Sequence, residues 1–134
     1  MKNILLLFFY SISFFISAQN NEYIGHYETI IKTKGGETLE YKLDLKADNT
    51  FIYHFYRNLG QTQSIDENWY GKGTWKVKNN IVYFFTDKLT DLDQKYNLDF
   101  TNTTGRFDTK NKSLFRFYKS NIPWIKKSTV SKIN

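Results

Sequence analysis

The stretch Thr38–Ala47, "TLEYKLDLKA", alternates without a break. Leu39, Tyr41, Leu43, Leu45 and Ala47 share one parity, and Thr38, Glu40, Lys42, Asp44 and Lys46 share the other. A period of two makes an extended strand with one buried and one wet face; a helix, turning about 100° per residue, would scatter both sets around its circumference. The pattern recurs. Tyr23, Gly25, Tyr27, Thr29 and Ile31 oppose His26, Glu28 and Lys32. Phe51, Tyr53 and Phe55 oppose Ile52, His54 and Tyr56, and Trp69, Gly71, Gly73, Trp75 and Val77 oppose Tyr70, Lys72, Thr74, Lys76 and Lys78.

Turn signals separate these segments. Gly35-Gly36 reads as a two-residue hairpin turn, because glycine takes positive φ freely. Asp48-Asn49 and Asn79-Asn80 are further turns, since Asn tolerates the left-handed region. Residues 81–86, "IVYFFT", form the returning strand. Beyond Asp87 the alternation weakens, and "DKLTDLDQKYNLDF" suits one helical turn or a strand-to-strand loop. "GRFDT" and "SLFRFYK" flank Lys110-Asn111-Lys112 as another hairpin, and a last strand is expected around Thr129–Ile133, after the single proline, Pro123. No segment sustains apolar residues at i, i+3 and i+4. The expected fold is all-β: a single antiparallel up-and-down barrel or strongly curled sheet of about seven or eight strands. Closure would remove the exposed edges of so aromatic a sheet.

Residues 1–19, "MKNILLLFFYSISFFISAQ", place Lys2 before an apolar run and small residues after it, the order of a secretory signal peptide. The run is interrupted by Ser11 and Ser13 and is shorter than the roughly 20 residues of a membrane span. Cleavage after Ala18 or Gln19 leaves one domain, residues 20–134, with no transmembrane segment and no cysteine for lipid attachment. A secreted or periplasmic monomer is expected. Without cysteine the domain has neither disulfides nor a thiolate metal site. With Lys2 removed, 18 basic residues face 13 acidic ones, a net charge of +5. Residues 111–134 hold Lys112, Arg116, Lys119, Lys126, Lys127 and Lys132 and no acid. Their spread suits a solvated face better than a nucleic-acid or membrane site, so neither partner is expected.

No catalytic constellation emerges, and a non-enzymatic protein without metal or cofactor is expected. Gly71-Lys72-Gly73-Thr74 lacks the spacing of a phosphate-binding loop and is followed by strand rather than helix. As strand residues, the two glycines let the sheet bend and let large rings from neighbouring strands lie over it. His26 and His54 fall on outer faces without a third ligand. The acidic stretch from Asp87 to Asp99 lacks the glycine and terminal Glu of a calcium loop and reads as a solvated loop.

The aromatic residues carry the functional expectation. Tyr23, Tyr27, Tyr41, Phe51, Tyr53, Phe55, Trp69, Trp75, Tyr83 and Phe85 are expected to point inward. About eight strands enclose space for side chains alone or for one small ligand. In the second case Tyr27, Tyr41, Phe51, Tyr53, Phe55, Trp69, Trp75 and Tyr83 line a pocket for an apolar or amphipathic molecule, with Arg57 at the rim. In the first, the filled barrel is a scaffold for a protein partner in the cell envelope, recognised through the outward set Ile24, Ile52, Tyr56 and Tyr70.

Gly25-His26-Tyr27, the run from Leu43-Asp44-Leu45 through Asp48-Asn49-Thr50-Phe51, and Gly73-Thr74-Trp75 followed by Asn80-Ile81 together resemble the lipocalin-like (calycin-like) small barrels common among Bacteroidetes secreted proteins. Tyr27 stands where the lipocalin first-strand Gly-x-Trp signature has its Trp. The resemblance implies an apolar ligand held inside the barrel, and a late arginine, Arg106 or Arg116, set against the Tyr27 ring.

Overall fold

The computed structural model describes residues 21–60 and 65–133; the signal peptide expected over residues 1–19 lies outside them. Nine strands follow in chain order: β1 Gly25–Lys32, β2 Thr38–Leu45, β3 Thr50–Asn58, β4 Asp66–Lys78, β5 Ile81–Phe85, β6 Tyr96–Leu98, β7 Thr103–Phe107, β8 Leu114–Lys119 and β9 Thr129–Lys132. Eight of them close an antiparallel up-and-down barrel in the order β1-β2-β3-β4-β5-β7-β8-β9, with β9 pairing back onto β1. The ninth, β6, is the addition to the expected set. It runs parallel to β4 and takes over the edge of β4 that β5 leaves free, Tyr70 facing Tyr96 and Gly71 facing Leu98.

The two ends of the barrel are built differently. At one end the strands are joined by the turns at Asp48-Asn49, Asn79-Asn80 and Lys110–Lys112. Asn49, Asn79 and Asn80 take φ of 66°, 54° and 62°, the left-handed conformation Asn accepts. Trp75 pins the first of these turns, its indole N–H donating to the carbonyls of Thr50 at 2.9 Å and Lys46 at 3.2 Å. We call this the turn end. At the opposite end lie the longer connections, residues 86–102 and 120–128, with the end of β3 and the start of β4, and we call it the mouth.

The turn at Gly35-Gly36 is wider than two residues. Lys32 pairs with Thr38, the Gly36 amide donates to the Thr33 carbonyl at 3.1 Å, and only Gly36 has positive φ, 85°. This is a hairpin of the type-I-plus-left-handed-residue kind, which needs glycine once. Residues 87–91 form a single turn, with the Asp91 amide donating to the Asp87 carbonyl at 2.8 Å.

The interior is a stack of rings. Tyr27, Phe51, Tyr53, Phe100, Phe115 and Phe117 are fully buried, together with Leu43, Leu45, Val82 and Val130. Phe51 meets Phe84 edge-on at 5.0 Å and Phe100 at 5.0 Å; Phe115 meets Phe117 edge-on at 5.3 Å. These offset and edge-to-face contacts are the geometries that aromatic quadrupoles favour. The inward glycines are what admit them. A Cβ on Gly71 would lie 2.5 Å from the Phe100 ring, and one on Gly105 would lie 2.5 Å from the Phe115 ring. At Gly73 it would collide with the Phe85 carbonyl and press on Phe51. The rings over the β4 glycines are therefore Phe100 and Phe51.

One expected strand phase is reversed. Tyr83 and Phe85 point outward, while Val82 and Phe84 are buried. The tight Asn79-Asn80 turn pairs Val77 with Val82 and Trp75 with Phe84, and directly paired residues share a face.

Candidate functional site

The mouth is where half-buried aromatic surface collects. β3 delivers Tyr53, Phe55 and Arg57 at successive inward positions, and β2 brings Tyr41 opposite Phe55. β4 places Trp69 opposite Phe55 on the other side, and Glu67 opposite Arg57. The β8–β9 connection adds Trp124. Its ring lies tilted against Phe55, with centroids 4.3 Å apart, and is 6.2 Å from Trp69 and 6.3 Å from Tyr53. Tyr41 and Trp69 flank Phe55 at 4.9 and 5.5 Å. Phe55 is the buried centre of the group, with Tyr41, Trp69 and Trp124 partly exposed around it.

At the rim, Arg57 is paired. Its Nε donates to Glu67 Oε2 at 2.7 Å, and its terminal nitrogen reaches the same oxygen at 2.5 Å. The guanidinium also sits 5.8 Å from the centre of the Trp69 ring. The carboxylate removes the cost of a half-buried charge without partner, and the pair fixes the Trp69 ring at the edge of the mouth.

Below this layer lies Tyr53, fully buried, with its hydroxyl unpartnered among the described residues. Burial pushes its pKa well above the ordinary tyrosine value, and the neighbouring Tyr41 adds to the shift. Tyr27, nearer the turn end, is equally buried but satisfied, donating to the Tyr23 carbonyl at 2.5 Å. A buried hydroxyl without a partner costs about 1–3 kcal/mol, so native structures rarely keep one without reason.

The residues expected to line a site thus divide. Tyr41, Phe55, Arg57 and Trp69 meet at the mouth, with Tyr53 beneath them. Tyr27, Phe51 and Trp75 belong to the packed layers toward the turn end: Tyr27 packs on Phe107 and Phe115, and Phe51 on Phe84 and Phe100. Tyr83 stands on the outer wall, 37% exposed. Arg106 and Arg116 are exposed and do not meet the Tyr27 ring; Arg106 lies over Tyr118 instead, at 4.6 Å.

Two residues central to the arrangement carry no sequence signal of their own, Phe100 and Trp124. Thr86 anchors the first, its Oγ1 accepting from the Phe100 amide at 2.8 Å. A hydrogen bond between Thr103 and Ser120 at 2.9 Å ties the segment carrying Phe100 to the one carrying Trp124. The unfilled space above Gly71, inward on a long strand, was the one clue that a ring had to arrive from elsewhere.

The outward apolar set is largely engaged within the chain. Tyr70 stacks on His54 at 4.3 Å and lies under Lys95 at 4.9 Å, and Tyr56 donates to Asp66 at 2.7 Å. His26 pairs across β1 and β2 with Asp44, and His54 pairs with Asn68 at 2.8 Å. Among the described residues no three His, Cys, Asp or Glu side chains gather as a metal site. Comparison with protein-family models, curated proteins and solved structures finds no match for this chain.

Proposed function

We propose that the protein is a secreted, non-catalytic binding protein of lipocalin-like type that holds a small apolar or amphipathic ligand at the barrel mouth. The ligand's apolar part lies against Phe55, Tyr41, Trp69 and Trp124, and an acceptor atom on it receives a hydrogen bond from the Tyr53 hydroxyl. The single observation behind this reading is that orphan hydroxyl, set beneath the one aromatic layer that is only partly covered. Apolar walls with a few placed polar groups are the usual make-up of small-molecule sites. The depth of the barrel is occupied by Phe51, Phe84, Phe100 and Phe117, so the site is the mouth layer rather than the whole lumen.

Trp69 and Trp124 make the reading testable. Native mass spectrometry of the purified protein should show a retained small molecule, or a tryptophan-fluorescence titration with fatty acids and other apolar compounds should give micromolar or tighter dissociation constants. Absence of both overturns the proposal.

A second reading follows from the filling of the barrel by Phe100 and Trp124: a rigid scaffold, such as an inhibitor or immunity-type module, whose partner is a protein of the cell envelope. A pull-down from envelope extracts that returns nothing above background counts against it.

A further inference from the structure

The two halves of the outer wall differ in charge. On the outer faces of β1 and β2, Glu28, Glu40 and Asp44 stand among Lys32 and Lys42, with Asp44 paired to His26 and Glu40 to Lys42. The other half, residues 74–78 of β4 with β5, β7 and β8, carries Lys76, Lys78, Arg106, Arg116 and Lys119 and not one acidic residue. Among the described residues none of these five cations is in an ion pair.

The register arranges this wall in rows. Lys76 faces Tyr83 across β4 and β5, Tyr83 faces Thr104 across β5 and β7, and Thr104 faces Lys119 across β7 and β8. Four adjacent strands spaced about 4.8 Å apart set the two lysine backbones roughly 14 Å from each other, with the tyrosine ring between them. In the next row Phe85 faces Thr74 and is 56% exposed. Around the two rings lies a groove of about 510 Å³, lined also by Thr101 and Asn102, with no acidic side chain. On the β7–β8 side Arg106 and Arg116 face each other directly, an arrangement of like charges that destabilises a sheet unless an anion lies between them.

We propose that this groove binds an anionic polysaccharide. The apolar faces of sugar rings lie on Tyr83 and Phe85, which offer rigid apolar area. Their hydroxyls exchange hydrogen bonds with Thr74, Thr101, Thr104 and Asn102, side chains that both donate and accept. Carboxylate or sulfate groups meet Lys76 and Lys119 at the two ends of the row, and Arg106 and Arg116 extend the positive field beyond it. A single-stranded nucleic acid would also use rings and cations. The hydroxyl-rich lining and the export expected from residues 1–19 favour the saccharide. This site lies on the outside of the barrel and stands independently of the mouth.

The test is binding of the protein to polygalacturonate and to dextran sulfate by calorimetry, with neutral dextran, an oligothymidylate and anionic phospholipid vesicles as further arms. Saturable binding to at least one of the two anionic polysaccharides is expected. It should weaken on the order of tenfold or more between low and physiological salt. Tyr83→Ser with Phe85→Ser should weaken it at least tenfold, as should Lys76→Glu with Lys119→Glu. Lys32→Glu with Lys42→Glu, on the balanced wall, should leave it within twofold. Lack of binding to both polysaccharides overturns the proposal. So does equal loss from charge reversal on either wall, an unchanged affinity in the ring variant that retains the wild-type circular dichroism spectrum, or tighter binding to the oligonucleotide or the vesicles.

Discussion

The turn end and the mouth of this barrel use the same materials to opposite ends, and two tyrosines show how. Tyr27, in the layers toward the turn end, is buried and its hydroxyl donates to a backbone carbonyl. Tyr53, under the mouth, is buried as deeply and its hydroxyl has no hydrogen-bond partner among the described residues. Around Tyr27 the connections are short turns, two of them locked by left-handed Asn residues, and Phe115 is fully covered with Phe107 partly so. Above Tyr53 two of the connections are long, the rings of Tyr41, Trp69 and Trp124 are only partly covered, and Trp124 arrives from a segment outside the strands. The first region is complete as it stands. The second leaves a hydrogen-bond donor and apolar surface in reserve, which is the condition of a place that receives something.

The strongest way to break the comparison is at Phe100, the ring the mouth side sends into the core. Phe100→Ala should cost about 3–5 kcal/mol in denaturant unfolding, because the ring fills the space above Gly71 and touches Phe51, Tyr53 and Phe84. A cost below about 1 kcal/mol would mean that the long connections are not part of the barrel core. Alkaline pH tests both tyrosines at once. Burial raises their pKa values above the ordinary value of 10, so the folded state keeps protons that the unfolded chain releases. Stability should therefore be full below pH 10 and fall above it, by up to about 2.7 kcal/mol per pH unit for the two groups together. Fluorescence-monitored unfolding against pH checks this, and Tyr27→Phe with Tyr53→Phe should flatten the fall.

At the turn end, Asn79→Val places a β-branched side chain at φ of 54° and should cost about 1–2 kcal/mol. The same change at Lys34, in the mouth-side hairpin, should cost only a few tenths, since positive φ there falls on Gly36. The smallest effect is at the rim. A double-mutant cycle on Arg57 and Glu67 should return about 0.2–1 kcal/mol, because the pair is partly solvated.

The alternation made the strands of β1 to β4 legible, since charged residues on the even positions of Thr38–Ala47 set the phase of the whole segment. "IVYFF" offered no such marker: every residue is apolar, and its phase came only from pairing across Asn79-Asn80. The mouth residues Tyr41, Phe55 and Trp69 were legible for the same reason as their strands. Phe100 and Trp124 were not, because they sit in irregular segments where no period exists and their positions depend on contacts with Thr86, Gly71 and Phe55 that are distant in the chain. The basic, acid-free wall was half visible in the charges of residues 111–134. The rest, Lys76 and Lys78 on β4 and Arg106 on β7, joined it only through the β4–β5, β5–β7 and β7–β8 pairings.

The most direct test of the mouth as the functional end is the stability of Tyr53→Phe beside that of Tyr27→Phe, each measured with and without the apolar compound that binds most tightly to the wild type. In the free protein Tyr27→Phe should lose about 0.5–1.5 kcal/mol with its hydrogen bond, whereas Tyr53→Phe should be neutral or gain up to about 1–3 kcal/mol by removing an unpaired hydroxyl. Saturating ligand should stabilise the wild type and Tyr27→Phe alike, and Tyr53→Phe markedly less. A destabilised Tyr53→Phe that binds the ligand as well as the wild type would contradict the account.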